Sequence, residues 1–139
     1  MEFSLYKGGY DAAMSDLIGR IFTRVNRAEN CDGHDELHFE CAHGIFKLLH
    51  YPDCCESVAI ESITGDLNDL VGVPIVLAEE VTSGDDPPGY VAHEFRDESF
   101  TWTFYKLATI KGYVDIRWLG ESNGYYSEGV DLIFIPARW

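Results

Sequence analysis

Most of the side chains that could do chemistry in this sequence fall within one short segment. Eight of the nine cysteine and histidine residues lie between positions 31 and 55: Cys31, His34, His38, Cys41, His43, His50, Cys54 and Cys55. These residue types bind zinc, act as nucleophiles or respond to the redox state of their compartment. A metal site, a thiol-dependent enzyme and a reduced structural segment would each produce such a cluster, so three explanations stay open.

A metal site is the first of these explanations. Cys31 and His34 lie in a polar turn, and the hairpin that follows could bring them close to Cys54 and Cys55. If a metal binds, we expect zinc with these four residues as its ligands, because zinc prefers thiolate and imidazole groups. The chain lacks a C-x2-C pair, which structural zinc sites commonly use. Without a metal, Cys41 would be a small core residue and the histidines would lie at the surface.

The adjacent residues Cys54 and Cys55 offer a second explanation, a reactive thiol. Such a thiol needs a base, and His50 is the nearest candidate. Asp53 and Glu56 flank the two cysteines, however, and neighbouring negative charge raises the pKa of a thiol. A disulfide between adjacent cysteines would require a strained turn. We therefore predict a structural turn with reduced thiols, assign no catalytic residue, and expect binding in preference to catalysis.

The segment that begins at Arg117 is a stronger candidate for binding. The predicted ligand-binding residues, which include one aromatic residue from an earlier strand, are Arg117, Glu121, Ser122, Asn123, Tyr125, Tyr126 and Trp102. Arginine presents a fork of donors to phosphate or carboxylate, and aromatic rings can stack on a base. A nucleotide-like ligand would suit this combination. The alternative is a well-packed hairpin that turns at residues 123–124.

Charge restricts the partners that this chain can have. The formal net charge is −14, and residues 29–98 carry seventeen acids and two bases, which gives −15 for that part alone. A field of that sign repels nucleic acid and anionic lipid, and it attracts proteins with a basic surface. We therefore expect no direct binding of nucleic acid or membrane. The alternative is an acidic surface that only keeps the protein in solution.

The hydrophobic pattern predicts a mainly β fold, of the β-rich α+β class. Short alternating runs separated by turn signals favour an antiparallel sheet, a sandwich or an open barrel. Residues 37–51 predict a hairpin connected by His43 and Gly44, and residues 84–89 predict an exposed loop. One or two short helices are expected, the first over residues 11–18, within a helical N-terminal extension at 1–17.

The length of the chain, 139 residues, fits a single domain over 1–139. No apolar run reaches the about 20 residues that a membrane-spanning helix needs. The first residues lack the basic start and apolar core of a signal peptide. We therefore expect a cytoplasmic protein, and the pattern leaves its oligomeric state open.

Two segments carry a resemblance to a known family. Residues 50–57 read H-x-x-D-C-C-E-S, and residues 117–128 read R-W-x-G-E-S-N-G-Y-Y-S-E. Together with the T-W-T-F-Y run at 101–105, they resemble a family of short, uncharacterised bacteriophage proteins over residues 18–131. The resemblance implies a phage accessory protein made in the cytoplasm of the infected bacterial host. It implies no reaction and no catalytic residue.

These observations lead to one expected function and two alternatives. The expected function is that of a phage-encoded acidic protein that binds and interferes with a host or antiviral-defence protein. The first alternative is a protein that sequesters a nucleotide-like ligand with the loop at 117–126. The second is a metal- or thiol-dependent enzyme centred on residues 31–55. Charge favours a protein partner, whereas the arginine and the aromatic residues favour a small ligand.

Overall fold

The computed structural model describes residues 2–4 and 8–137, which form two antiparallel β-sheets. The strands of the described residues are β1 (Phe3–Ser4), β2 (Gly9–Asp11), β3 (Arg24–Glu29), β4 (Asp35–Cys41), β5 (Gly44–Leu49), β6 (Ser57–Thr64), β7 (Leu77–Ser83), β8 (Ser99–Thr109), β9 (Gly112–Ser122) and β10 (Asp131–Pro136). Two 3₁₀ turns lie at Met14–Leu17 and Leu67–Leu70. The first sheet has the order β1-β2-β10-β5-β4-β3 and the second β6-β9-β8-β7. The described strands leave both sheets open at their edges, so neither sheet closes into a barrel. The architecture is a mainly β sandwich.

The β4–β5 hairpin shows why these segments become strands. Leu37 and Phe39 of β4 pair with Leu48 and Phe46 of β5, and all four side chains are fully buried. Residues two positions apart in a strand lie on the same face, so this alternation places one apolar face of the hairpin on the core. The predicted hairpin is confirmed, although its two connecting residues are 42–43, one position earlier than expected.

One hydrophobic core fills the space between the two sheets. Its largest fully buried side chains are Trp118, Tyr105, Phe22, Phe39 and Phe46. The Phe22 ring packs against both strands of the hairpin, with its centroid 5.4 Å from that of Phe39 and 6.1 Å from that of Phe46. Leu17 and Leu70, one from each 3₁₀ turn, are also fully buried in this core. Both sheets and both turns therefore share a single core.

The second sheet has an unusually aromatic outer face. Tyr105 and Leu107 of β8 belong to the core, so the alternating residues Phe100, Trp102 and Phe104 lie on the opposite face. Trp102 is nevertheless fully buried, and its ring stacks on that of Phe104 at a centroid distance of 5.9 Å. Another part of the chain must therefore cover this face of the sheet.

The N-terminal part of the chain differs from the sequence-based prediction. β1 pairs with β2 and β2 pairs with β10, so the described residues of the predicted helical extension at 1–17 add an edge to the first sheet. Within residues 11–18, only Met14–Leu17 is helical, as one 3₁₀ turn. The amide of Ala12 donates to the carbonyl of Leu132 at 3.0 Å, so pairing with a distant strand prevails over local helix formation. Residues 1 and 5–7 lie outside the described residues.

No helix among the described residues is long and apolar enough to cross a membrane.

Candidate functional site

β9 divides the predicted ligand-binding residues between its two faces. Arg117 and Glu121 lie on the outer face, whereas Ser122 is fully buried on the core side. Ser122 is five positions along the strand from Arg117, which is about 16 Å of extended chain. Asn123–Tyr126 follow the end of the strand. The structure therefore brings Trp102 close to Arg117 and leaves the two tyrosines beyond the end of the sheet.

Arg117 is held by two neighbours on the outer face. Its Nε atom lies 3.2 Å from Oε2 of Glu61, and its guanidinium carbon lies 5.2 Å from the centroid of the Trp102 ring. Glu61 reaches this position because the register of β6 shifts between Ile60 and Ser62. Such a bulge re-aims a side chain that regular pairing would place elsewhere. An anionic ligand of Arg117 would have to compete with this carboxylate.

The chain after β9 folds back over the end of the sandwich. Glu128 accepts a hydrogen bond from the Thr101 hydroxyl at 2.7 Å and another from the Ser122 hydroxyl. The side chain of Asn123 accepts from the backbone amide of Tyr125 at 3.0 Å, which forms a local turn. Tyr125 itself is 90% exposed. Ser122 and Asn123 thus have the structural roles that a packed hairpin requires.

A loop that the sequence marks only as exposed covers the aromatic outer face. Residues 84–98, which we call the anchored loop, are fixed at their base by Asp86. The Asp86 carboxylate accepts hydrogen bonds from both terminal nitrogens of Arg96, at 2.8 and 2.9 Å. It also accepts one from Nε1 of Trp102 at 2.9 Å. A two-pronged arginine–carboxylate pair of this kind fixes orientation as well as position.

Aromatic rings complete this anchor. The guanidinium carbon of Arg96 lies 4.0 Å from the ring centroid of Phe100 and 5.6 Å from that of Tyr90. The Tyr90 ring meets Trp102 edge to face at 4.8 Å. The loop therefore explains why Trp102 is buried. The sequence did not predict this anchor, because no local pattern links Asp86 to partners ten and sixteen residues away.

Acid is expected to release the anchored loop. Hydrogen bonds from Arg96 and then Trp102 hold the pKa of Asp86 below its usual range. Because the folded-state pKa is depressed, the stabilisation is present above about pH 4, the ordinary carboxyl value, and is lost as the pH falls through the lower folded pKa. The protection of the backbone amides of residues 89–98 against hydrogen exchange, relative to their intrinsic exchange rate at each pH, should therefore fall over that range in the wild type.

Two variants provide the comparison. Asp86→Asn should show low protection of residues 89–98 even at neutral pH and no further loss of protection in acid. Asp85→Asn removes the same charge one residue away and should behave like the wild type. An exchange profile of Asp86→Asn that matches the wild type at neutral pH would contradict the anchor.

The anchored loop presents two apolar side chains to solvent. Val91 and Phe95 are 87% and 83% exposed. Glu121, a predicted ligand residue, instead contacts this loop: its Oε2 lies 3.5 Å from Nε2 of His93 and accepts from the amide of Asp97 at 3.4 Å. An exposed phenyl ring on a loop that is fixed from beneath is typical of a surface that binds another molecule.

Although all four predicted metal ligands are among the described residues, the structure does not arrange them as a metal-binding group. Cys31 has a free thiol in the exposed turn between β3 and β4, whereas Cys54 and Cys55 are joined to each other by a disulfide after β5. Among residues 2–4 and 8–137, no group of three or more His, Cys, Asp and Glu residues is arranged to hold a metal ion. The disulfide also differs from the reduced thiols that the sequence predicts. His34, the fourth predicted ligand, lies with Cys31 in the same turn.

Glu56 organises the turn that contains the disulfide. Its carboxylate accepts hydrogen bonds from the backbone amides of Asp53 and Cys54 and lies 3.5 Å from Nε2 of His50. Burial raises the pKa of Glu56, but these amides and His50 outweigh it and hold the pKa below its usual value. Nδ1 of His50 lies 2.8 Å from the carbonyl oxygen of Gly129. His50 therefore links this turn to the chain before β10.

Comparison with known proteins assigns the chain to a family. The family model of a domain of unknown function, DUF7448, matches residues 15–132. This range runs from the first 3₁₀ turn into β10, so it includes both the anchored loop and the disulfide turn. No curated protein and no solved structure matches the chain. The matched residues make up most of the chain, which therefore belongs to the DUF7448 family of domains of unknown function.

Proposed function

We propose that this is a bacteriophage accessory protein that binds, and thereby interferes with, a protein of the bacterial host or of its antiviral defence. The anchored loop is the binding element. The observation that carries the proposal is the exposure of Val91 and Phe95, at 87% and 83%, on a loop whose base is fixed to a buried tryptophan. The phage origin rests on the resemblance of residues 50–57 and 117–128 to phage proteins.

Fixing the base of the loop favours binding for an entropic reason. A loop that must be ordered on binding loses conformational freedom, which reduces the affinity of the complex. The pairs from Asp86 to Arg96 and Trp102 hold the loop before the partner arrives. Aromatic side chains that insert into a pocket of the partner contribute much of the binding energy in protein interfaces. Phe95 has the exposure and the rigid support that such a role requires.

The residues of the anchored loop also indicate what kind of surface its partner has. Four acidic residues of the anchored loop surround the two apolar side chains along the chain: Asp85, Glu94, Asp97 and Glu98. A complementary surface would have an apolar pocket with lysine and arginine residues around it. Opposite charges increase the rate of association and select against acidic proteins. The proposed partner is therefore a protein with a basic surface, and not a nucleic acid.

Removing the phenyl ring is expected to weaken this complex. Phe95→Ala should raise the Kd for the partner by about tenfold to thirtyfold, as expected when an aromatic anchor is lost. Ile110→Ala is the matched control, because Ile110 is also 83% exposed but lies in the turn between β8 and β9. The partner would first be captured from host lysate on immobilised wild-type protein, then purified and titrated against the wild type and both variants.

Salt provides an independent test of the same complex. Exposed charges are largely screened beyond about 8 Å at physiological ionic strength. Association should therefore slow markedly as salt rises, while Phe95→Ala should mainly accelerate dissociation. Binding through the anchored loop would be contradicted if the captured protein bound Phe95→Ala as tightly as Ile110→Ala. It would also be contradicted if the association rate did not change with salt concentration.

A further inference from the structure

A cavity of about 720 Å³ lies where the chain after β2 meets the β4–β5 turn. Its volume is in the range of small-molecule sites in proteins. Its wall includes three charged or polar residues, Asp16, Arg20 and His43. It also includes three less polar residues, Ile18, Ile21 and Cys41. The cavity is separate from the anchored loop, because its residues come from the segment between β2 and β3, the end of β4 and the β4–β5 turn.

Arg20 is held in a fixed orientation at this cavity. Its Nε donates a hydrogen bond to the backbone carbonyl of Asp16 at 3.0 Å. Its guanidinium carbon lies 5.0 Å from the ring centroid of Phe46 and 5.9 Å from that of Phe134. Two aromatic rings and one carbonyl thus position the guanidinium without neutralising its charge.

Arg20 differs from the other arginines of the described residues in having no acidic partner. The others form ion pairs within 4 Å: Arg24 with Glu40, Arg27 with Asp35, Arg96 with Asp86 and Arg117 with Glu61. For Arg20, no carboxylate of residues 2–4 or 8–137 lies within that distance, although the chain carries 24 acids. Among residues 2–4 and 8–137, therefore, nothing occupies its two terminal nitrogens, which a ligand carboxylate could bind.

We propose that this cavity binds a small organic monocarboxylate through the terminal nitrogens of Arg20, with the apolar body of the ligand against Ile18 and Ile21. Guanidinium and carboxylate match each other as planar, two-pronged partners. Ile18 and Ile21 are 47% and 53% exposed, so an apolar ligand would cover surface that water now contacts.

The charges around the cavity favour one negative charge on the ligand over two. Arg20 is opposed by Asp16, whose Oδ2 already accepts from the amide of Ala13 at 2.8 Å. The imidazole of His43 adds a hydrogen-bonding group to the wall. A phosphate with its second charge would meet Asp16 and the net −14 of the chain, and among the described residues that line the cavity Arg20 is the one lysine or arginine to offset them.

Titration with phenylacetate and hexanoate, followed by ¹H–¹⁵N NMR, tests the proposal. Saturable shifts are expected at residues 19–21 and 42–43 and at the Arg20 side chain, whereas phenylacetamide and phenyl phosphate should give none. Arg20→Gln should weaken carboxylate binding at least tenfold. Arg24→Gln removes the same charge from a side chain that is 68% exposed and outside the cavity, and should bind as the wild type does.

Two further variants and an alkylation experiment keep the result decisive if Arg20→Gln does not fold. Arg20→Lys retains the charge but lacks the fork and should still bind several times more weakly. Asp16→Asn should bind roughly threefold more tightly, because it removes the opposing charge. Phenylacetate should also slow alkylation of Cys41, which lines the cavity, and leave Cys31 unaffected. Equal shifts with phenylacetamide, a preference for phenyl phosphate, or unchanged carboxylate binding in the folded Arg20 variants would overturn the proposal.

Discussion

Replacing Gly44 by alanine is expected to lower the free energy of unfolding by at least about 3 kcal/mol. A Cβ atom at this position would overlap the carbonyl oxygen of Ile135 and lie 2.9 Å from Cα of Pro136. Both contacts are with backbone of β10, which pairs with β5 along its length and cannot move aside alone. The φ of Gly44, +148°, adds strain for any residue with a side chain. Denaturant unfolding followed by circular dichroism would measure the loss.

Substitutions at two other glycines distinguish the cost of the steric clash from the cost of the backbone strain. Gly33 has φ +82°, and an added methyl group there would have no atom within 4 Å, so Gly33→Ala should cost only the backbone strain, about 1 kcal/mol. Gly84 has open space and no positive φ, so Gly84→Ala should be close to neutral or slightly stabilising. If Gly44→Ala and Gly33→Ala had the same denaturant midpoint of unfolding, that result would contradict the close approach of β10 to the hairpin turn.

The strands were predictable because their signals are local. Alternation of apolar and polar residues over 37–41 and 45–49 follows from the two-residue period of a strand that is buried on one face. The order of the strands was not predictable in the same way. β10 lies between β2 and β5, and no pattern within Asp131–Pro136 predicts which distant strands it will pair with. The same long-range pairing replaced the helix expected near the N-terminus by a strand and a single 3₁₀ turn.

The candidate site was less predictable, because long-range partners define it. The sequence grouped Trp102 with Arg117 in one candidate site on the condition that their strands pair, and the structure places them on the adjacent strands β8 and β9. It did not predict that a bulge gives Arg117 the partner Glu61, or that Asp86 reaches Trp102. Each of these contacts joins residues whose separation depends on the fold. Arg20 carried no sequence signal, because an unpaired guanidinium is recognisable only when all nearby carboxylates are placed.

Removing the carboxylate of Glu128 is expected to cost about 2–3 kcal/mol of stability. Glu128→Ala would leave the fully buried hydroxyl of Ser122 with only the carbonyl oxygen of Tyr126, at 3.5 Å, as an acceptor, and the half-buried hydroxyl of Thr101 would have to bond to water. Gly120 permits the close packing here, because a Cβ atom there would overlap the carbonyl oxygen of Glu128. Thermal and denaturant unfolding would measure the effect. Ser127→Ala, at the exposed neighbouring position, should change stability by less than about 0.5 kcal/mol.

A double-mutant cycle decides whether this stability comes from the carboxylate itself. If Glu128 and Ser122 are bonded, Glu128→Ala and Ser122→Ala should be non-additive by about 1 kcal/mol or more, because either change alone removes the same hydrogen bond. Additive losses would show that the loop is held by its packing instead. Partner binding through Phe95 should be unchanged in folded Glu128→Ala, because Glu128 bonds to the core side of β8 and β9 whereas the anchored loop lies on their outer face. Separate carboxylates thus hold the chain against the two faces of the second sheet, and each can be removed without the other.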